Sequence, residues 1–293
     1  MNARQIYQLT KASVSSWIED YAPSMGAAIA YYTLFSIAPM VLIVISVAGL
    51  VFGQEAAQGE MFEQLQELMG PEGAMAVQGL LQSVNKPEQG IAGAVIGVLL
   101  SLLGASTVLG ELQSALDRIF HTTGQDKKSG IMALLWKRLL SFGMVLGIGF
   151  LLMVSLLLSA ALAILGKWWN GLFGAWQILA QAFNLSLSFL VITLLFAMIY
   201  KFMPSVRLAW RDVWIGAAVT SLLFAVGKYL IGLYIGRAGV SSGFGAAGSL
   251  VVMLVWVYYS AQIFLLGAEF TSVYARTHGS RKPVGPVQDP AFA

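Results

Sequence analysis

The sequence predicts an all-α fold, a polytopic membrane bundle of six transmembrane helices, and three observations carry that prediction. Hydrophobic residues make up 58% of the 293 and charged residues only 11%, too few charges to clothe a soluble globule of this length. Met25 to Phe52 holds no charged residue, and at about 1.5 Å per residue its helix exceeds a hydrocarbon layer of about 30 Å. Similar apolar stretches then recur at about 91–116, 134–166, 177–200, 212–236 and 248–271. Together with the segments between them they form one integral membrane domain over 1–275, followed by a polar cytoplasmic tail over 276–293.

The chain opens on an amphipathic helix rather than a cleavable signal, because charged and polar residues interrupt Met1 to Tyr21 and no short apolar core precedes a cleavage site. Ile6, Leu9, Val14, Trp17 and Tyr21 recur at steps of three to five, which gives one apolar face suited to the membrane interface. Asp20 to Pro23 breaks the chain ahead of the first span. Inside that span, Tyr31, Tyr32, Thr33 and Ser36 precede Pro39. Proline lacks an N–H and clashes with the carbonyl four residues back, so a kink or opened turn is expected there. In lipid such a defect survives only where neighbouring groups satisfy the backbone, so this face looks into the bundle, as a packing kink or as a ligand site.

Residues 54–90 are polar, with Glu55, Glu60, Glu63, Glu67, Glu72 and Glu88 against the single base Lys86. One apolar stripe (Phe62, Leu65, Met69) is broken by Gly70 and Pro71, and a second follows (Val77, Leu80, Leu81, Val84). This pattern predicts a short helical hairpin on the outer membrane surface. Its acidic residues lack metal-loop spacing and read as a solvated face. The second span ends near Glu111 and Gln113, and the third is long enough to tilt or project. Trp168, Trp169 and Trp176 mark a headgroup-level turn before the fourth span, which ends at Lys201 and Pro204. Arg207, Trp210, Arg211 and Asp212 lead into the fifth, which contains Lys228. A small-residue stretch with Gly239, Gly243, Gly245 and Gly248 opens the sixth, and the tail after Thr271 is polar with an end expected to be disordered.

Basic residues set the orientation. With the amino terminus inside, thirteen of the seventeen Lys and Arg are cytoplasmic, and only Lys86, Lys167 and Arg237 are outside. That asymmetry predicts cytoplasmic termini and an external hairpin. The two halves share only a proline near an aromatic or small-residue run (Pro39, Pro204), which does not amount to the inverted repeat of several transporters.

Ionisable and polar residues at membrane depth are the candidate site. Lys228 lies 16 residues after Asp212, about 24 Å along a helix, in the outer half of its span. It either snorkels to the outer headgroups or meets a partner or substrate. Glu111 and Glu269 sit near the inner ends of two spans running in the same direction, where they face one vestibule or pair with Arg118, Arg207 or Arg276. Tyr258, Ser260 and Gln262 are the interhelical hydrogen-bonding candidates of the last span. The candidate substrate path or intramembrane polar network is therefore Tyr31, Tyr32, Ser36, Pro39, Glu111, Lys228, Tyr258, Gln262 and Glu269. No cysteine is present and His121 and His278 are isolated, so no thiol chemistry, catalytic set, metal site or cofactor is expected.

The chain resembles the YihY/BrkB family of bacterial inner-membrane proteins, once labelled ribonuclease BN. The resemblance rests on AIAYYTLFSIAPMVLIV (Ala28 to Val44), ELQSALDRIF (Glu111 to Phe120), Pro204 with RLAWRDVWIGA (Arg207 to Ala217) and GSLVVMLVWVYYSAQIFLLGAEF (Gly248 to Phe270). Asp117 stands where the pattern leads one to expect asparagine. The resemblance covers roughly residues 10–275 and implies six helices in the bacterial inner membrane and a role in the cell envelope, without naming a substrate.

Two function classes are expected from all this. One is a transporter or flippase for a lipid or anionic amphiphile of the envelope, with membrane lipids and a second copy as partners. The other is a membrane scaffold or assembly factor whose outer hairpin binds a partner. A metal-dependent nuclease is not expected, because no clustered Asp, Glu and His is seen. The basic loops also lack the interleaved aromatics of a nucleic-acid surface.

Overall fold

A computed structural model describes residues 2–84, 107–121, 176–206, 208–238 and 247–281. Among these residues the chain is helical throughout, without a strand: α1 Ala3–Glu19, α2 Ala22–Phe52, α3 Gln54–Val84, α4 107–119, α5 Trp176–Phe202, α6 Trp210–Ala238 and α7 Gly248–Thr277. The predicted first, fourth, fifth and sixth spans coincide with α2, α5, α6 and α7, each extended by a turn or less at most ends. The third span, most of the second and most of the tail lie outside the described residues. Leu185–Phe202, Trp210–Ile235 and Leu250–Thr277 are long and apolar enough to cross a membrane.

Each boundary has a local cause. Asn2 N–H donates to Gln5 Oε1 at 2.9 Å, which satisfies an orphan donor at the start of α1. Asp20 and Tyr21 separate α1 from α2, with Tyr21 at φ 56, ψ 37. Pro23 sits in the first turn of α2, where its missing N–H costs nothing. The helix then runs through Pro39 to Phe52 without a break in its helical run, so the expected defect does not interrupt it. Gly53 at φ 86 ends it.

Gly70 divides α3 into two helical stretches through φ 76, ψ 171, a conformation essentially reserved for glycine. The apolar stripes on either side then fold onto the membrane helices. Met69, Ala76 and Val77 are buried with Val41, Ile45, Ile235 and Met253, and Leu65 and Leu81 pack at the edge.

The last helix, α7, is the hub, packing on α6, α2, α3 and α1. Its closest approach to α6 uses one motif twice. Gly216 and Thr220 on α6 face Thr271 and Gly267 on α7, so that a Cβ on either glycine would overlap the opposing threonine. Each threonine hydroxyl donates to the carbonyl of its own helix's glycine, at 2.8 Å for Thr220 and 2.7 Å for Thr271. Each threonine also sits directly against the opposing glycine, its Oγ1 the atom nearest to where that glycine's Cβ would be, an approach that small residues allow in membrane bundles. Tyr200 of α5 joins this contact, donating to Phe264 O at 2.8 Å and lying 3.1 Å from Thr220 Oγ1. Leu222, Val226, Tyr229 and Leu233 project outward from α6, an apolar stripe that a bilayer would cover.

The amphipathic helix meets the bundle through a narrower face than its apolar residues mark. Leu9 and Ser13 are buried, Leu9 against Val273 and Tyr274 of α7, whereas Ile6, Val14 and Tyr21 are exposed. The face that packs is Leu9, Ser13 and Trp17, spaced at four residues. Ser13 fits because its hydroxyl donates back to Leu9 O at 2.8 Å, leaving no orphan donor.

Candidate functional site at the α1–α2 elbow

Glu269 and Gln262 lie seven residues apart on α7, two turns along one face. That face meets the elbow between α1 and α2. Gln262 Nε2 donates to Pro23 O at 3.5 Å. It can approach because Gly26 has no side chain there, and a Cβ at that position would collide with the Gln262 amide. Two turns further on, Glu269 is fully buried. Its charged neighbours are Asp20 and Glu19 at the end of α1 and Arg276 on its own helix.

The polar atoms of this seam are unusual in lacking partners. Among the described residues, neither Glu269 oxygen accepts a hydrogen bond, and Asp20 Oδ2, Gln262 Oε1 and Trp17 Nε1 are also buried and unpaired. Buried polar groups are normally paired, and an unpaired buried charge costs several kcal/mol, of order 3–5 where one partner of a pair is missing. Neither nearby guanidinium reaches the Glu269 carboxylate. Arg118 sits 3.9 Å from Asp20 Oδ1 and 5.4 Å from the centre of the Tyr21 ring. Arg276 Nε donates to Ser272 O at 3.4 Å. Tyr21, beneath the Arg118 guanidinium, takes a left-handed backbone conformation that a bulky side chain adopts only under constraint.

The surrounding end of the bundle is rigidly tied. Ser272 Oγ donates to Ile119 O at 3.0 Å, and Arg281 Nη1 to Phe120 O at 3.0 Å. Asp117 accepts from Ser205 N at 2.6 Å and Ser205 Oγ at 2.8 Å. Asp212 accepts from Ser280 N at 2.8 Å and Oγ at 2.7 Å. Lys201 donates to Leu208 O and lies 5.4 Å from the Trp210 ring centre. Among the described residues, five of the seven buried side-chain atoms without a partner are thus at the elbow seam, Ser221 Oγ and Trp256 Nε1 being the other two.

Of the predicted site residues, the structure brings Gln262 and Glu269 to the elbow. The others are distributed. Tyr31 is exposed, edge-on to Tyr32 at 5.5 Å and to Phe35 at 5.1 Å. Ser36 is buried and donates to Thr33 O at 3.3 Å, and Pro39 lies within α2. Glu111 is half-buried on α4, and Lys228 is half-buried and engaged with a neighbour. Tyr258 lines an apolar groove of about 390 Å³ with Leu230, Ile231, Tyr234, Val255 and Tyr259, which shares no residue with the elbow. Asp20, Trp17 and Gly26 are site residues that the sequence reading missed. Their only signal was position, since Asp20 is the last acid before the charge-free stretch. Among the described residues no group of three or more His, Cys, Asp or Glu could hold a metal ion.

Comparison with known proteins places this architecture. The family model described as "Virulence factor BrkB" matches residues 13–291. A UPF0761 membrane protein of Tolumonas auensis is 29% identical over 277 residues, covering 90% of this chain and 86% of that protein. One from Cronobacter sakazakii is 28% identical over 256 residues, covering 86% and 83%. One from Pseudomonas aeruginosa is 29% identical over 258 residues, covering 86% of this chain but 59% of the longer protein. No solved structure matches. The chain belongs to the BrkB family of membrane proteins.

Proposed function

We propose that this chain is a multi-pass protein of the bacterial inner membrane that moves a lipid or anionic amphiphile of the envelope, as a transporter or flippase. In this reading it has six spans, cytoplasmic termini and no enzymatic activity. The observation that carries it is Glu269, fully buried in a membrane-length helix with both oxygens unpaired beside Asp20. A bundle built only to pack would be more stable with an apolar residue there, and ionisable groups inside membrane helices mark transport paths and relays. Two further features suit an amphiphile. Arg118, Arg276 and Arg281 gather at the elbow end of the bundle, fit for an anionic headgroup. The groove lined by Tyr234, Tyr258 and Tyr259 is apolar, fit for an acyl chain.

The test is lipid exchange in proteoliposomes of wild type, Glu269→Gln and Lys228→Ala. Wild type is expected above background. Glu269→Gln should be slower by about tenfold or more, a loss of at least about 1.4 kcal/mol in the coupled step. Wild type at background for anionic and zwitterionic lipids alike would remove the transport reading.

A second reading, a membrane scaffold or assembly factor, is favoured by α3. Its apolar residues are fixed against α2, α6 and α7, so that Glu55 and Glu63 are presented outward as a firm acidic surface. The same assay separates the two, because a scaffold leaves wild type and both variants at one background rate.

A further inference from the structure

We infer that the Asp20–Glu269 pair holds one small monovalent cation, a proton or a sodium ion, at the joint between the α1–α2 elbow and α7. As a coupling ion this rests on the transport reading above; as a binding site it does not. Carboxylates are acceptors with no proton of their own to give. Buried ones are stable only when paired, hydrogen-bonded or coordinating a cation. Here Glu269 is fully buried with both oxygens unpaired, and Asp20, its leading charged neighbour, leaves Oδ2 buried and unpaired as well.

The charges facing the pair come from every element around it. Glu19 on α1 is exposed and already accepts from Ser15 Oγ at 2.9 Å. Arg118 on α4 is half exposed and reaches only the far oxygen of Asp20. Arg276 on α7 is anchored to Ser272 O. Among the described residues the Glu269 oxygens and Asp20 Oδ2 therefore accept no hydrogen bond, and the one unpaired buried donor of the seam, Trp17 Nε1, reaches none of them. Two carboxylates side by side can share one proton. Their oxygens also suit a hard ion. A divalent ion is a poorer fit, since calcium asks for six to eight oxygen ligands and magnesium for a full octahedron. The constrained Tyr21 sits in the hinge between Asp20 and α2, so loss of the ion and movement of the elbow are mechanically connected.

The experiment is thermal unfolding of the detergent-purified full-length chain. Sodium is titrated against choline at constant ionic strength and fixed alkaline pH, and proton concentration is titrated in sodium-free choline buffer. A ligand that binds the folded state raises the midpoint with the logarithm of its concentration. Wild type should gain stability in one of the two arms, and the responding arm names the ion. Glu269→Gln should lose that response. Should Glu269→Gln fail to fold, Asp20→Asn at the rim of the site reads the same property, with at least a tenfold higher concentration needed for the same shift. A wild type that responds in neither arm, or an undiminished response in the folded variants, overturns the inference. Cation-dependent stability with lipid exchange at background would sink the transport reading and leave the site standing.

Discussion

Asp117 on α4 holds a turn 88 residues away, accepting both the backbone N–H and the hydroxyl of Ser205. An asparagine could do the same, since its carbonyl accepts the N–H while its amide donates to Ser205 Oγ after the hydroxyl rotates. That explains why either residue is compatible with this position. Asp117→Asn should leave the melting temperature nearly unchanged, whereas Asp117→Ala leaves the Ser205 N–H without this acceptor. Because these contacts are exposed, the alanine variant should lose about 0.5–1.5 kcal/mol, read as a lower midpoint in detergent. Equal stability of the two variants would show that the turn does not depend on this contact. Glu269 is the opposite case at the same scale, because its neighbours do not satisfy it. The contrast is between a carboxylate that packing satisfies and one that packing leaves unpaired, the one on which the proposed function rests.

At the scale of elements, Gly70 decides the shape of α3. Its φ 76, ψ 171 lies where a Cβ is not tolerated, and Pro71 then starts the second stretch. Gly70→Ala should cost about 1–3 kcal/mol and expose the second stretch to protease, while Gly79→Ala, with open space around its position, should be neutral or slightly stabilising. Similar protease sensitivity in both variants would show that the backbone at Gly70 is not what fixes the bend. This break was legible in the sequence, because Gly and Pro interrupt an apolar stripe and the stripe resumes beyond them. The long apolar helices were legible for the same reason, being set by composition and length alone. Partners were not. A membrane helix is apolar toward both its neighbours and the lipid, so periodicity does not tell Thr220, which packs on Gly267, from Leu222, which faces outward. The side of α1 that packs on the bundle is not legible either, because Ser13 counts as polar in a pattern although bonding to Leu9 O lets it pack. Asp20 was read as a helix breaker. Its role depends on Glu269, a residue about 250 positions later, and no local spacing links the two.

At the scale of the whole molecule, the proposed orientation follows from thirteen basic residues on one side against three on the other. It places α3 outside and the Asp20–Glu269 joint on the cytoplasmic half, beside Arg118 and Arg276. The fold makes this testable without removing any native thiol, because the chain contains no cysteine. Met75 on the second stretch of α3 is 49% exposed and Ile18 on α1 is 61% exposed, so single cysteines at either position cost little packing. A membrane-impermeant maleimide added to intact spheroplasts should label Met75→Cys and spare Ile18→Cys, and permeabilisation should make Ile18→Cys reactive. If Ile18→Cys is labelled first and Met75→Cys only after permeabilisation, the molecule is inverted, and the elbow would bind its cation from outside the cell. If both are labelled before permeabilisation, α1 and α3 lie on the same side, and an even number of crossings between them replaces the single crossing of α2. The stretch of α2 over 28 residues without a charged side chain is what makes the single crossing the expected outcome, because a helix satisfies its own backbone in lipid and an apolar one loses nothing there.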